Sequence, residues 1–275
     1  MERTLADGFE VELSLLLEAI NLKYGYDFRH YSSASMKRTV VHAMNRMECP
    51  TLTVLQSKVL HDLESFYDLI GSLTIPVSEM FRDPTYFLAL REKVVPLLRT
   101  YPSLKIWIAG CSTGEEVYSL AILLQEEALL ERSILYATDI NPRTLEKAKK
   151  GVFDLEEIQR SAQNYLKSGG KRLLSDYYTV ASDSVTFHRA LKKNITFSDH
   201  SLVTDAVFSE THLISCRNVL IYFDRELQDK VFGLFHESLC RRGFLGLGSK
   251  ETIQFSQHAK YFDPFAKKDR IYQKK

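Results

Sequence analysis

The chain has 275 residues, 45% of them apolar, enough for one large domain or a catalytic domain with a small companion and too many for a disordered polypeptide. With 36 Lys and Arg against 35 Asp and Glu there is no global basic field, so a nucleic-acid partner is not expected. No run approaches the ~20 apolar residues that span a bilayer. The acidic Met1–Asp7 has no apolar core of a secretory signal, and Cys49, Cys111, Cys216 and Cys240 form no C-x-x-C pair, so the expected setting is cytoplasmic with no membrane insertion.

Residues 9–70 read as helical. Val11, Leu15, Ala19 and Leu22 share one face, and Val54, Leu55, Val59, Leu63, Phe66 and Leu69 form a second stripe, with Ser32-Ser33 and Pro50 as breaks. Between them, Lys37, Arg38, His42 and Arg46 interleave with Met36, Val40, Ala43, Met44 and Met47. Such a basic face is either solvated or docks on an acidic protein surface. Pro84 starts a helix carrying Phe87, Leu88, Leu90, Val94 and Val95, which Pro96 ends or bends.

From there strand and helix alternate: Lys105–Ala109, Glu115–Leu130, Ile134–Thr138, Pro142–Lys150, then His212–Cys216, Glu226–Cys240, Gly243–Gly248 and a terminal Arg270–Gln273 as an edge strand. This rhythm means a parallel sheet with crossover helices. Residues 152–197 interrupt it with Gly169-Gly170 and three β-leaning runs, Tyr177–Val180, Val185–Phe187 and Ile195–Phe197. They predict a helix and short antiparallel strands inserted in the α/β unit, either decoration or a surface for partner recognition.

The turn Gly110-Cys111-Ser112-Thr113-Gly114 lies between a buried strand and a helix start, where small residues admit a ligand to the backbone and the helix offers unpaired N–H groups. Glu115 and Glu116 follow it and would repel a pyrophosphate, whereas an ammonium or sulfonium would be attracted. The charge pattern therefore favours S-adenosylmethionine over NAD or ATP, and the three-glycine dinucleotide fingerprint and the P-loop are both absent. Asp139 ends the next strand, where a carboxylate reaches ribose hydroxyls; the alternative is capping of the Pro142 helix, for which Asn141 is better placed. Arg217, Asn218 and Tyr222 follow a later strand and face the same crevice or its rim, or else are a surface arginine and a core tyrosine. No metal is expected, since His236-Glu237 lacks a second histidine four residues on, and Cys111 and Cys216 read as packing residues.

Phe81-Arg82-Asp83-Pro84, Cys-Ser-Thr-Gly-Glu-Glu-x-Tyr-Ser from Cys111, Ala137–Ile140, Cys-Arg-Asn-Val-Leu-Ile-Tyr-Phe-Asp from Cys216, and Gly243–Gly248 together resemble the CheR family of chemoreceptor glutamate methyltransferases. The resemblance covers nearly the whole chain. It implies an all-helical domain over residues 1–75 and a class I, Rossmann-like methyltransferase domain over 76–275 with a β-subdomain inserted at about 152–197. It implies S-adenosylmethionine as methyl donor, S-adenosylhomocysteine as product, and the cytoplasmic domain of a chemoreceptor or related signalling protein as partner. Carried onto this sequence, it places Ser78 and Arg82 against the methionine portion and reacting centre. Ala109 and Gly110 then approach the cofactor through main-chain atoms, Glu116 binds its ammonium and Asp139 its ribose. Ser201, Leu202, Arg217 and Asn218 surround adenosine and the neighbouring backbone, and Tyr222 stands beside the methyl group with Arg82, helping to orient the incoming carboxylate. Ser201 stands where the family has Asn, Val117 where it has Pro, and Lys250 falls in Gly248–Glu251 where many members read Gly-x-Ser-Glu. Two other readings stay open: a methyltransferase with a different acceptor, and a module that senses S-adenosylmethionine without turnover.

Overall fold

The computed structural model describes residues 8–74 and 78–275. The amino-terminal heptapeptide and the expected boundary at 75/76 lie outside the described residues. Two compact units result, Met1–Ile75 with Tyr222–Gln228, and Pro76–Ile221 with Asp229–Lys275.

The first unit has four helices, α1 (Gly8–Tyr24), α2 (Ser33–Arg46), α3 (Leu52–His61) and α4 (Leu63–Leu73). Thr51 and Asp62 cap α3 and α4, their side chains accepting from the backbone N–H of Val54 and Ser65. The buried face of α1 is Leu13, Leu16, Leu17 and Ile20, while Val11, Leu15 and Leu22 of the expected stripe are exposed. This helix carries two apolar stripes, and period alone does not choose the one that packs on α3. Val54 and Leu63 are also exposed: Val54 lies off the buried face Leu52, Leu55 and Val59 of α3, and Leu63 opens α4 in a new phase after the Asp62 cap. On α2, Met36, Val40 and Ala43 are buried and Arg38, His42 and Arg46 exposed, while Lys37 pairs with Glu10. The segment 222–228 belongs here through a bridge of Phe223 to Tyr31, whose rings meet edge to face at 5.0 Å. Ser32 N donates to Tyr222 O (2.7 Å) and Asp224 N to His30 O (2.9 Å).

The second unit opens with α5 (Pro84–Ala89), a wider π-helical turn at Leu90–Val94, and α6 (Val95–Leu98). The wide turn accommodates Pro96, which bends the helix rather than ending it. There follow β1 (Leu104–Ala109), α7 (Glu115–Glu126), β2 (Ser133–Asp139) and α8 (Pro142–Lys150). Next come β3 (Val152–Asp154), α9 (Leu155–Arg160), α10 (Ala162–Lys167), β4 (Tyr178–Ala181), β5 (Ser184–Phe187) and α11 (Arg189–Lys192). The chain finishes with β6 (Ile195–Asp199), β7 (Thr211–Cys216), α12 (Arg225–Ser238), β8 (Leu239–Leu247), β9 (Phe262–Ala266) and β10 (Ile271–Lys274), the first turn of α12 counting with the helical unit.

The main sheet has the order β6-β2-β1-β7-β8-β10-β9. Its strands from β6 to β8 are parallel, and β10 is antiparallel to both neighbours. That is the class I methyltransferase sheet, as the resemblance implies. A separate antiparallel sheet, β3-β5-β4, forms the inserted subdomain. Three expectations are corrected. Residues 195–197 are not part of the insert but open β6, paired parallel with β2. Cys240 lies in β8 rather than at the end of the helix before it. The terminal strand is internal, and the edge is the unforeseen β9, whose Pro264 suits an edge position. The centre of the sheet is anchored by Trp107 of β1, fully buried, with Nε1 donating to Thr138 Oγ1 at 2.8 Å.

Candidate active site

Parallel pairing brings the carboxyl ends of β1, β2 and β7 to one edge, so the residues that follow them converge. After β1, the N–H groups of Gly110 and Cys111 both donate to Thr138 O (2.8 and 2.9 Å), turning the chain sharply. Gly110 (φ 74°) and Gly114 (φ 101°) sit in the left-handed region; a Cβ on Gly110 would come within 2.4 Å of Val219 Cγ2. Asp139 ties this turn to the end of β2: Oδ2 accepts from Ser112 N (2.8 Å) and Oδ1 from Asn141 N (2.9 Å). Burial raises its carboxyl above the usual range against the opposing pull of those N–H groups. The cap of α8 is Asn141, which accepts from Arg143 N at 3.0 Å. His200 N donates to Asp139 O (3.3 Å), which sets Ser201 and Leu202 beside Asp139. The Ser201 hydroxyl accepts from Val203 N and Thr204 N within its own turn.

Glu116 is held on both oxygens. Ser215 Oγ donates to Oε1 at 2.6 Å and Arg217 Nη1 to Oε2 at 3.0 Å. Tyr86 hydrogen-bonds Ser215 at 2.8 Å and extends the chain inward. Arg217 Nη2 donates to Arg82 O (2.7 Å) and Asp83 Oδ2 (2.9 Å), and its guanidinium lies 4.2 Å from the Tyr86 ring centre. Only 1% of that side chain is exposed. Its guanidinium thus fixes Glu116 and the 82–83 segment. Glu115 is buried, with its carboxyl raised by that burial, and accepts from Thr113 Oγ1 at 2.7 Å. Ser78 and Glu115 line a cavity of about 230 Å³ together with Met80, Phe153 and Ile158. Cys111 and Cys216 are buried with thiols pushed well up, so neither is a thiolate nucleophile at neutral pH.

Asn218 adopts a left-handed conformation (φ 62°). Its N–H donates to Glu251 Oε2 (3.0 Å), which also receives Gly248 N (2.6 Å), while Oε1 receives Leu220 N (2.8 Å). Lys250, the residue of this turn that departs from the family pattern, is exposed, and Glu251 is the buried member. The signal available was an acid beside Gly248 in a strand-end turn. Ser78, Arg82, Ala109, Gly110, Glu116, Asp139, Ser201, Leu202, Arg217 and Asn218 all lie in the sheet-bearing unit, and Tyr222 in the helical one.

Residues 76–270 match the family model described as CheR methyltransferase, SAM binding domain. The chain belongs to the CheR methyltransferase family. It is 58% identical over 265 residues to Cher3 of Pseudomonas putida, named provisionally as a methyltransferase, with 96% of this chain and 97% of that one aligned. It is 29% identical to the chemotaxis protein methyltransferase of Listeria monocytogenes, covering 83% of this chain and 85% of that one. With the chemotaxis protein methyltransferase of Borreliella burgdorferi it shares 30% identity over 72% of this chain and 71% of that one. As a CheR-family member the protein is an S-adenosylmethionine-dependent methyltransferase. The residues present fit that cofactor: Ser112 Oγ and Arg217 Nε are buried without a hydrogen-bond partner, and Glu115, Glu116 and Asp139 supply negative charge. Among the described residues no group of three His, Cys, Asp or Glu could hold a metal ion, and no helix is long and apolar enough to cross a membrane.

Proposed function

We propose that this CheR-family enzyme methylates glutamate side chains in the cytoplasmic domain of a chemoreceptor or a related signalling protein, yielding glutamate methyl esters and S-adenosylhomocysteine. The observation that carries the reading is the network of Glu116, Arg217, Arg82 and Asp83 beside Asp139. It holds acids for a cationic donor and fixes the backbone of the segment that carries Arg82. When bound, S-adenosylmethionine supplies an electrophilic methyl group on a sulfonium. A glutamate side chain is already ionised at neutral pH, so its oxygen needs no general base to form the O–CH₃ bond as the S–CH₃ bond breaks.

Each residue then has a physical task. Glu116 accepts from the donor's ammonium, its carboxylate pre-aligned by Ser215 and Arg217. Asp139 accepts from the ribose hydroxyls on the lone pairs that Ser112 N and Asn141 N leave open. Ala109 and Gly110 present main-chain atoms, and Ser201, Leu202 and Asn218 border adenosine. Ser78 and Arg82 lie towards the methionine end, where Arg82 orients the acceptor carboxylate with planar paired donors. Arg217 works as a brace. Tyr222 is assigned a place beside the methyl group by the family pattern. Exposed Arg38, His42 and Arg46 on α2 offer an acidic acceptor protein a complementary charge.

The test is incubation with methyl-labelled donor and receptor cytoplasmic domains. Label on protein that base releases supports a carboxyl ester. Base-stable label identifies a different acceptor group, and cofactor binding with no transfer identifies a sensing module; either refutes the proposal.

A further inference from the structure

Glu251 is assigned no contact with the donor or the acceptor, yet the residue is 4% exposed and its carboxyl takes three backbone N–H groups. Two of them, from Asn218 and Leu220, belong to the loop that leaves β7, and the third, from Gly248, to the turn that leaves β8. A buried carboxyl that takes three backbone donors at once ties the end of β7 to the end of β8 through a single side chain. The loop needs such a hold: Asn218 is left-handed at φ 62°, a conformation a non-glycine residue keeps only when its surroundings enforce it. Space is also tight, since a Cβ on Gly248 would lie 2.8 Å from Asn218 N. The next residue upstream is Arg217, whose guanidinium must reach both Glu116 and the 82–83 segment.

We infer that Glu251 is a positioning residue which, by clamping the 218–220 backbone to the end of β8, sets Asn218 and Arg217 for donor binding. The inference rests on the proposed reading of this crevice as the donor site. Glu251→Gln preserves volume but leaves one acceptor oxygen for three N–H groups and turns an NH₂ towards the others. Glu251→Asp preserves charge but draws it back by one carbon.

The test uses the full chain, with calorimetric titration of S-adenosylhomocysteine, donor kinetics, and amide exchange of the ligand-free protein. Glu251→Gln is expected to weaken S-adenosylhomocysteine about tenfold or more, to raise KM for the donor by a similar factor, and to change kcat much less. Exchange at the Asn218 and Leu220 amides rises with it. Leu130→Ala, a buried change just before β2 at the opposite end of the sheet, is the matched control for lost stability and leaves affinity unchanged. If Glu251→Gln binds within about twofold of wild type, or loses no more than Leu130→Ala, the inference is overturned. Should Glu251→Gln not fold, Glu251→Asp is judged by the same criteria. Wild-type protein that binds no S-adenosylhomocysteine overturns the functional reading instead, and unchanged exchange at Asn218 and Leu220 in the variant then overturns the clamp on its own.

Discussion

Replacing Asp139 by Asn separates the two things this carboxylate does. In the folded protein its oxygens accept from Ser112 N and Asn141 N, and the residue is 9% exposed. Asn keeps one acceptor and presents an NH₂ to the other amide, leaving a buried N–H unpaired at a cost of about 1–3 kcal/mol. Against this, the variant no longer buries a charge, whose desolvation is what raises the Asp139 pKa. The two effects oppose, so the net stability change at neutral pH is expected within about 2 kcal/mol. Donor binding has no such compensation. Bonds from ribose hydroxyls to a carboxylate are worth about 1.5–3 kcal/mol against about 0.5–1.5 for neutral partners, so S-adenosylhomocysteine should bind about 10- to 100-fold more weakly. The pH dependence has a definite sign. A carboxyl with a raised folded pKa binds more protons folded than unfolded between about 3.9 and its folded value, so its contribution falls as pH rises through that window and is flat above it. Glu115 and Glu251 act with the same sign, so the difference in melting temperature between wild type and variant, followed from pH 7 towards the unfolded Asp value, isolates Asp139. Calorimetry showing affinity within about twofold of wild type would refute the ribose assignment and leave Asp139 as a backbone tie alone.

Arg82→Ala and Tyr222→Phe should each lower methyl transfer by about 10-fold or more while leaving S-adenosylhomocysteine affinity within a few-fold; equal losses in binding and transfer would contradict the division between donor-holding and acceptor-orienting residues. Gly110→Ala places a Cβ 2.4 Å from Val219 Cγ2 in a left-handed residue and should cost about 1–3 kcal/mol. Thermal unfolding of Gly110→Ala alone and with Val219→Ala measures it, and partial recovery in the double variant is expected because φ strain stays when the collision is removed. Arg46→Glu on the exposed face of α2 should reduce transfer to a receptor domain in a salt-dependent way without changing donor affinity; transfer that is unaffected at low salt removes that face from acceptor docking.

Elements with a strong period and clear punctuation were legible in the sequence, and α8, bounded by Asn141 and Gly151, matches its expected range. The buried stripe of α1 was not, because Leu13, Leu16, Leu17 and Ile20 compete with an equally periodic set and only packing on α3 selects between them. β9 was hidden by Asp263 and Pro264, residues that an edge strand tolerates and a strand pattern does not announce. β6 reads like the short strands before it, and its pairing with β2, distant in sequence, is what moves it into the main sheet. In the site, the polar residues after β1, β2 and β7 were legible as a group because parallel strands deliver their carboxyl ends to one edge. The bracing role of Arg217 was not, since it depends on Asp83 and Tyr86 at the start of α5 and Glu116 of α7 arriving from two other segments. The clamp made by Glu251 is not legible for a related reason. Two of its three partners are backbone N–H groups some thirty residues upstream, which leave no trace in side-chain patterning.

Left-handed backbone and buried charge meet at this edge. Phe81, Asp83, Ser112 and Asn218 are all left-handed non-glycine residues in the loops that build the crevice, each costing about 1–3 kcal/mol. Glu115, Asp139 and Glu251 are buried acids whose carboxyls are raised by desolvation. An edge so constructed is less stable than the sheet beneath it, and a ligand that brings positive charge lowers the desolvation cost of the acids it approaches. A phosphate-bearing ligand would raise that cost instead. The arrangement therefore couples binding to stability in a charge-selective way: S-adenosylmethionine, with ammonium and sulfonium, should raise the melting temperature at saturating concentration, whereas ATP and NAD should not. Equal stabilisation by ATP would show that the acids do not face the ligand, and the electrostatic basis for methyl-donor selectivity would fail with it.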